Sequence, residues 1–290
     1  MTSTVDQRSR LQAPSNPFAS DLALAHSSYC MFDGKKLMRA HDDGDRGSVT
    51  ADVDFVHDSL RSLVLNPRFV CVGAKSAFRE GAYRFGLYDE MASGEATAGL
   101  AHDLFRFARE QPLMDSEFTT CVASFKGPVA MDEAAFERRL WIQLQHLHDL
   151  DRRLHAWDPS VSCDPADADF SFSFAGRAFF VVGLHPASSR WTRRFAWPTL
   201  VFNVHEQFER LREQGRFVGL QRSIRSRDRA LQGSANPSLG TFGELSEARQ
   251  YSGRASDADW SCPFHVGASR GRDGGMAAGG AERERNAHPS

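Results

Sequence analysis

One short segment of the chain combines a histidine with several arginines directly after an apolar run. The run Ala178–Gly183 leads into His185, and the arginines that follow it are Arg190, Arg193 and Arg194. Imidazole can bind iron or zinc or transfer protons, whereas guanidinium groups pair with carboxylates and phosphates. The segment therefore predicts a site that holds an anionic group beside a centre needing a nitrogen ligand. A hydrogen-bonded loop histidine among solvated arginines is the alternative interpretation.

Three further residues could supply a nitrogen or sulfur ligand. His205 stands where a predicted strand passes into a predicted helix, Cys71 lies in an apolar predicted strand, and Cys262 precedes a proline. A single cysteine in an apolar strand usually packs in the core, so thiolate ligation is the less favoured interpretation. Asn203 can cap the helix at His205, which is a structural reason for part of that segment.

A glycine-containing segment over residues 240–254 mixes carboxylates with arginines. A loop of this kind could bind an amino acid, with an arginine for its carboxylate and a glutamate for its cationic end. The candidates for these roles are Glu244, Glu247 and Arg249. An internal network of ion pairs that fixes the loop is an equally good interpretation.

Several function classes are excluded by composition and by motif spacing. The string Gly73–Ser76 lacks the full spacing of a phosphate-binding loop, and the sequence has neither a dinucleotide fingerprint after a strand nor a Gly-x-Ser-x-Gly elbow. The five cysteines are scattered without a Cys-x-x-Cys pair, which argues against a zinc ribbon or a disulfide scaffold. A net charge of −2 argues against a dedicated nucleic-acid-binding protein.

The elements that must position these residues form one domain in our interpretation. The 290 residues are 41% hydrophobic and include 22 phenylalanines, enough for a substantial core. We expect disordered ends over 1–15 and over the Gly-rich tail 267–290, with a single catalytic domain over 16–266. Apolar runs stay short of the roughly 20 residues that span a bilayer, and the N-terminus lacks an apolar signal core. We therefore expect a soluble, cytoplasmic protein.

Apolar periodicity predicts about five helices and six strands. The predicted helices cover about 53–64, 100–108, 132–155, 205–215 and 217–232, and the predicted strands are 69–73, 82–87, 118–125, 170–174, 178–184 and 199–203. The turn Ala175–Arg177 predicts a hairpin, which argues against a purely parallel sheet. We expect an α+β fold in which a mixed, mainly antiparallel sheet packs with about five helices.

Several strings of the sequence, taken in order, resemble the YqcI/YcgG family. They extend over most of residues 55–264 and comprise Phe69–Ala77, Leu184–Arg190, Arg193–Phe195, Phe202–Phe208, Arg227–Pro237, Ser246–Arg254 and Asp259–Phe264. One departure is Val70, which stands where the family pattern has a proline before the cysteine. The cysteine itself is present, so the departure changes little.

This resemblance implies a haem-dependent N-oxygenase of specialised metabolism, such as antibiotic biosynthesis. Described relatives hydroxylate guanidine or amine nitrogens, including arginine in the cycloserine pathway and the guanidine of a guanitoxin precursor. Others oxidise the lysine side-chain amine as far as a nitro group. The implied cofactor is haem b with its iron, acting with O2 or peroxide and an external reductant. The implied partners are a basic amino acid or guanidine and an electron-donor protein or reductant, without nucleic acid or membrane.

Within this framework we expect His185 to be the proximal ligand, because it combines a fixed strand exit with adjacent arginines. Cys71 is the second choice, and the further candidate ligands are His205 and Cys262. The expected propionate partners are Arg190, Arg193 and Arg194, and the expected substrate contacts are Glu244, Glu247 and Arg249. Two other classes remain open: a haem carrier or sensor without turnover, and a non-haem hydrolase or transferase that uses His185 with a carboxylate.

Overall fold

A mixed eight-stranded sheet organises the chain in the computed structural model, which describes residues 15–41, 44–234, 245–257 and 259–267. In chain order, the strands β1–β8 are Cys30–Phe32, Leu37–Ala40, Arg46–Gly47, Tyr83–Glu90, Thr120–Gly127, Phe172–Phe174, Arg177–Leu184 and Thr199–Val204. They lie in the order β3-β2-β1-β4-β5-β8-β7-β6, and β4 and β5 are parallel while the other neighbours are antiparallel. The predicted α+β class and the β6–β7 hairpin are confirmed.

Eight α-helices flank this sheet within the described ranges. The helices α1–α8 are Asp21–His26, Ala51–Leu65, Val72–Glu80, Gly94–Glu110, Glu133–Asp151, His205–Glu213, Phe217–Gln232 and Ala248–Tyr251. Ser93 and Asp132 cap α4 and α5 by accepting a hydrogen bond from a backbone N–H three residues on. The five predicted helices correspond to α2 and α4–α7. No helix in the described residues combines the length and the apolar character that a membrane crossing requires.

Apolar side chains cover both faces of the sheet. Successive residues of β5 point to opposite faces, so that Ala123 packs in the cluster under α4 and α5 and Val122 packs in the cluster under α2. Phe202 of β8 belongs to the first cluster, and Phe85 of β4 belongs to the second. Because helices bury both faces, the central strands are apolar at consecutive positions and show little alternation in sequence.

The predicted strand over 69–73 is wrong. Cys71 is instead the N-cap of α3, and its Sγ accepts a hydrogen bond from the backbone N–H of Ala74 at 3.5 Å. Gly73 allows α3 to pack closely on Phe118, because a Cβ there would stand 2.8 Å from Cδ1 of that ring. A short apolar run cannot distinguish a strand from the buried start of a helix.

Strands β7 and β8 place the two candidate histidine ligands at opposite ends of one strand pair. The end of β7 pairs with the start of β8, with Leu184 opposite Thr199. His185 directly follows β7, and His205 directly follows β8. Since the strands are antiparallel, roughly 20 Å of strand separates the two imidazoles at 3.2–3.4 Å per residue.

Candidate functional site

The loop after β7 folds back around His185. The backbone N–H of His185 donates to the carbonyl of Arg193 at 3.0 Å, and the His185 carbonyl accepts from Phe195 at 3.3 Å. The imidazole is fully buried and stacks on Phe136, with 4.3 Å between the ring centroids. Gly183 makes room for that stack, because a Cβ there would stand 2.6 Å from Cε1 of Phe136.

Both ring nitrogens of His185 lack a hydrogen-bond partner among the described residues. Buried polar atoms nearly always have such a partner, so this imidazole needs an explanation. Burial lowers the pKa of His185 to about 4; Glu133 opposes this shift and Arg193 adds to it. The ring is therefore neutral at physiological pH, which is the form in which imidazole binds a metal.

The arginines of this loop lie in different environments. Arg190 and Arg193 are buried, whereas Arg194 is exposed and donates from its Nε to the carbonyl of Ser188. Arg193 donates to the carbonyl of Tyr251 at 3.0 Å. Burial lowers the pKa of Arg193 to about 10, which leaves it protonated at neutral pH.

Arg190 and Arg193 share an acidic neighbour, Asp228 of α7. The Nη1 of Arg190 lies 3.8 Å from a carboxylate oxygen of Asp228 and donates to the carbonyl of Ser234 at 3.0 Å. The pKa of Arg193 is raised by Asp228, against the larger effect of burial. Gly253 has a φ of +81° and packs against Arg193, since a Cβ there would stand 2.5 Å from Cδ. We call His185, Arg190, Arg193 and Asp228 the His185 group.

Partial burial favours the thiol form of both candidate cysteines in the metal-free chain. It raises the pKa of Cys71, although backbone N–H groups and Arg193 act in the opposite direction. It raises the pKa of Cys262 to about 12. A cysteine ligand must be a thiolate, so a metal bound at either position would have to displace this proton.

The second candidate imidazole, His205, opens α6 and is held by its own helix. Its Nε2 pairs with Oε1 of Glu209, one turn later, at 2.8 Å. Its Nδ1 has no hydrogen-bond partner in the described part of the chain and lies 4.0 Å from Oε2 of Glu247. Burial lowers the pKa of His205. A neutral ring that donates Nε2–H to Glu209 presents Nδ1 as a lone-pair donor.

Glu247 is buried at the start of α8 beside this imidazole. Its Oε1 accepts hydrogen bonds from the hydroxyls of Ser171 and Tyr251, both at 2.6 Å. Burial raises the pKa of Glu247 to about 7, and the two hydrogen bonds oppose that shift. The carboxyl group can therefore take up or release a proton near neutral pH. We call His205, Glu209, Glu247 and Tyr251 the His205 group.

Two cavities meet at His205 and Glu247. The first has a volume of about 160 Å³ and mostly apolar walls, which include Phe180, Phe208, Phe217, Leu220 and Ile224, together with Arg212 and Arg225. The second has a volume of about 370 Å³ and polar walls, which include Ser160, Ser162, Asp167, Asp169 and Glu209. An imidazole lone pair and a titratable carboxyl group thus lie between an apolar cavity and an acidic cavity.

Arg249, the predicted partner of a substrate carboxylate, donates to backbone carbonyls. Its guanidinium group donates to Asp257 at 2.9 Å and to Trp260 at 2.8 Å, and it lies over the Trp260 ring at 5.3 Å from the centroid. These contacts join α8 to the segment that follows it. Glu244 lies outside the described residues.

The sequence candidates therefore fall into two groups rather than one. The His185 group lies at one end of the β7–β8 pair, and the His205 group lies at the other. Tyr251 contacts both, since its carbonyl accepts from Arg193 and its hydroxyl donates to Glu247. The one-turn helix α8 thus connects the two ends of the strand pair.

The sequence model of one protein family matches residues 60–265 of this chain. The chain belongs to the YqcI/YcgG family. The YqcI/YcgG match begins within α2 and ends just after Phe264, so it includes both groups and the strands between them. No significant match to the chain was found among curated proteins or among solved structures.

Sequence reasoning missed Glu209, Asp228 and Tyr251 as members of the two groups. Glu209 follows His205 by four residues, and that spacing brings two side chains together on a helix, so it could have been found. Tyr251 likewise follows Glu247 by four residues. Its contact with Arg193 and the contact of Asp228 with Arg190 cross the fold, where no local spacing reveals them.

Proposed function

We propose that the protein is a cytoplasmic, haem-dependent N-oxygenase that hydroxylates the terminal nitrogen of a basic amino acid or guanidine. Membership of the YqcI/YcgG family supports the proposal, through the activity that the resemblance implies. One observation carries it: a buried imidazole nitrogen without a partner in the described residues lies beside a titratable carboxyl group, between an apolar and an acidic cavity. The co-substrates would be O2 or peroxide and an external reductant.

The side chains around the apolar cavity are of the types that hold a haem. Haem iron takes an axial imidazole, and cationic side chains pair with the haem propionates. His205 offers its Nδ1, while Glu209 holds the other ring nitrogen in the way that carboxylates hold metal-bound histidines. Arg212 and Arg225 line the same cavity. We therefore assign His205 as the ligand and these arginines as propionate partners.

His185, the first choice from the sequence, is the alternative ligand. It meets the same donor condition, because its ring is neutral and both nitrogens are buried without a partner in the described ranges. Nη1 of its neighbour Arg193 donates to the backbone carbonyls of Tyr251 and Gly183, so fewer donors of that guanidinium group remain for a propionate. Arg212, at the other site, is likewise paired, with Glu209, so the arginines do not decide between the two ligands. His205 is favoured because its ring lines both cavities.

The acidic cavity fits the cationic end of the substrate. Carboxylates bind ammonium and guanidinium groups through charge-assisted hydrogen bonds. Asp167, Asp169, Glu209 and Glu247 contribute to its walls, together with hydroxyl groups. A basic side chain in this cavity would direct its terminal nitrogen towards Glu247.

Glu247 would accept a proton from the substrate. An alkylammonium or guanidinium nitrogen is protonated at neutral pH, with a pKa of about 10 or above, and must become neutral before it can react with an oxidant. Glu247 lines both cavities, and its pKa of about 7 suits it to this transfer. A bound haem would supply the oxidising chemistry, while these side chains would orient the nitrogen and exclude water.

The first test is the absorption spectrum of protein expressed with a haem precursor, recorded before and after dithionite and CO. We expect a Soret band in the wild type and in His185→Ala, and loss of that band in His205→Ala. A band lost only in His185→Ala would show that His185, and not His205, is the ligand. Absence of the band, even after reconstitution with haemin, would refute the proposed cofactor.

A second measurement separates an oxygenase from a haem carrier or sensor. We expect reductant consumption that depends on a basic amino acid or guanidine in the wild type. Glu247→Gln should retain the Soret band but lose this consumption, because glutamine cannot accept the proton. Haem binding without any substrate-dependent consumption would favour the carrier or sensor.

A further inference from the structure

A row of three aromatic side chains leads from the His205 group to the protein surface. Tyr251 is fully buried, and its hydroxyl donates to Glu247, which lines both cavities. The Tyr251 ring stacks on Trp141, with 5.6 Å between centroids and an interplanar angle of 22°. Trp141 is buried and lies 6.3 Å from Trp260, which is partly exposed. The row thus begins at the candidate site and ends at solvent.

Trp141, at the centre of this row, packs in the apolar cluster under α4 and α5. A buried indole N–H usually has a hydrogen-bond partner, but Nε1 of Trp141 has none among the residues described. The Trp141 ring contacts the rings of Tyr251, Trp260 and Phe264. Phenol and indole rings lose an electron more readily than other neutral side chains, and rings in contact exchange electrons rapidly.

We propose that Tyr251, Trp141 and Trp260 form an electron-transfer path that carries oxidising equivalents from the cavities at Glu247 to the protein surface. The inference rests on the proposed function, because its oxidant is peroxide acting through a bound haem. Peroxide accepts two electrons in becoming water, so two successive one-electron transfers would pass along the path, with protons from solvent. The path would discharge that oxidant when no substrate nitrogen is present to consume it.

The transfer balances in both electrons and protons. Tyr251 gives one electron to the oxidant and its phenolic proton to the carboxylate of Glu247, to which it is already hydrogen-bonded at 2.6 Å. Trp141 then reduces the tyrosyl radical, which recovers its proton from Glu247. Trp260 reduces the oxidised Trp141, and an external one-electron reductant such as ascorbate restores Trp260.

The molecule contains a matched control tryptophan. Trp197 is partly exposed, as Trp260 is, but its ring packs on Phe55 and Phe195. These contacts place it in the cluster under α2, on the other face of the sheet from Trp141. Trp197 therefore reports oxidation by peroxide from solution, whereas Trp260 reports oxidation through the row.

The test uses the full chain loaded with haem and treated with hydrogen peroxide without substrate or reductant. Peptide mass spectrometry then locates hydroxylated tryptophan. We expect oxidation to concentrate at Trp260 rather than at Trp197, and Trp141→Phe to abolish it at Trp260 while leaving Trp197 unchanged. Tyr251→Phe, which preserves the ring packing, should also abolish Trp260 oxidation and remove the tyrosyl radical signal from the electron paramagnetic resonance spectrum.

Equal oxidation of Trp260 and Trp197 would overturn the inference, as would Trp260 oxidation that survives both substitutions. A haem-loaded protein with a normal Soret band and unmodified Trp260 would overturn the inference and leave the proposed function standing. Protein that fails to bind haem would overturn the proposed function, and the inference would fall with it. The thermal melting of each variant checks its fold, and Tyr251→Phe decides the matter if Trp141→Phe is unstable.

Discussion

Burial shifts the pKa of single residues in both groups, and in each case it favours the neutral form. His185 is held neutral with a pKa of about 4, and Glu247 is held with a pKa of about 7. Both shifts arise first from loss of water around the charged form. The His185 side chain is a base and the Glu247 side chain is an acid. Their effects on the free energy of unfolding therefore depend on pH in opposite directions.

We expect His185 to destabilise the haem-free protein as pH falls from about 6.5 to about 4. The unfolded chain takes up a proton at its ordinary histidine pKa of 6.5, whereas the folded protein takes it up only near 4. The free energy of unfolding changes by at most about 3 kcal/mol over this range. Urea unfolding of the wild type and of His185→Leu across this range measures it, and an identical pH dependence of the two proteins would contradict the assignment.

Glu247 should produce the opposite trend. Its folded pKa of about 7 lies above the ordinary value of 4.5, so the unfolded chain loses its proton first as pH rises between these values. The wild type should therefore lose up to about 3 kcal/mol relative to Glu247→Gln across this window and no more above it. The same urea series measures the effect. Parallel curves for wild type and variant would show that Glu247 is not buried as described.

At the scale of elements, strand β7 depends on Gly183 to accept α5 closely. A Cβ at this position would stand 2.6 Å from Phe136 and 3.0 Å from Leu140, both of α5. We expect Gly183→Ala to destabilise the protein by about 1–3 kcal/mol, as overpacking does. The control is Gly219→Ala in α7, which meets open space and should stabilise the helix by about 1 kcal/mol. Chemical denaturation compares them, and equal effects would contradict the close approach.

Helices with long apolar periodicity could be predicted from the sequence, but not always the face they bury. Apolar periodicity predicts a helix over 132–155, yet α5 ends at Asp151, and Leu150 and Leu154 are exposed. His148 on the same helix is buried against Trp157 and Phe264, although its polar side chain would suit a solvated face. Phe264 comes from a segment more than a hundred residues later, so no local pattern could reveal that this face is covered.

The candidate residues could be chosen from the sequence by type, but their grouping could not. His185 and His205 both follow apolar strands, and sequence spacing gave no reason to separate them. Their separation follows from the antiparallel register of β7 and β8, which sends the two strand ends in opposite directions. The contacts of Asp228 with Arg190 and of Tyr251 with Arg193 also join distant parts of the chain.

At the scale of the whole molecule, the sheet is larger than the sequence predicts because short edge strands carry little pattern. β1–β3 are two to four residues long and add to the sheet beside β4. Arg106 of α4 donates to the carbonyls of Ala40 and His41, which holds the end of β2 against the main body. Such contacts join distant parts of the chain and leave no periodic signal.

The C-terminal part of the family match is joined to the core through Phe264. Its ring is buried against Trp141, Trp157 and Phe170. We expect Phe264→Ala to cost about 3–5 kcal/mol of the free energy of unfolding. Leu113→Ala is the control, since Leu113 is 85% exposed and its loss should change stability by less than about 0.5 kcal/mol. A similar small cost for both would mean that the segment is not integral to the fold.

Tyr251 has a thermodynamic consequence because its carbonyl serves one group and its hydroxyl serves the other. Any ligand that displaces α8 through Arg193 alters the hydrogen bond from Tyr251 to Glu247, and with it the proton affinity of that carboxyl group. By linkage, a proton on Glu247 changes the affinity of that ligand by the same factor. Such a ligand at one end of the strand pair would therefore be linked reciprocally to the protonation of Glu247 at the other.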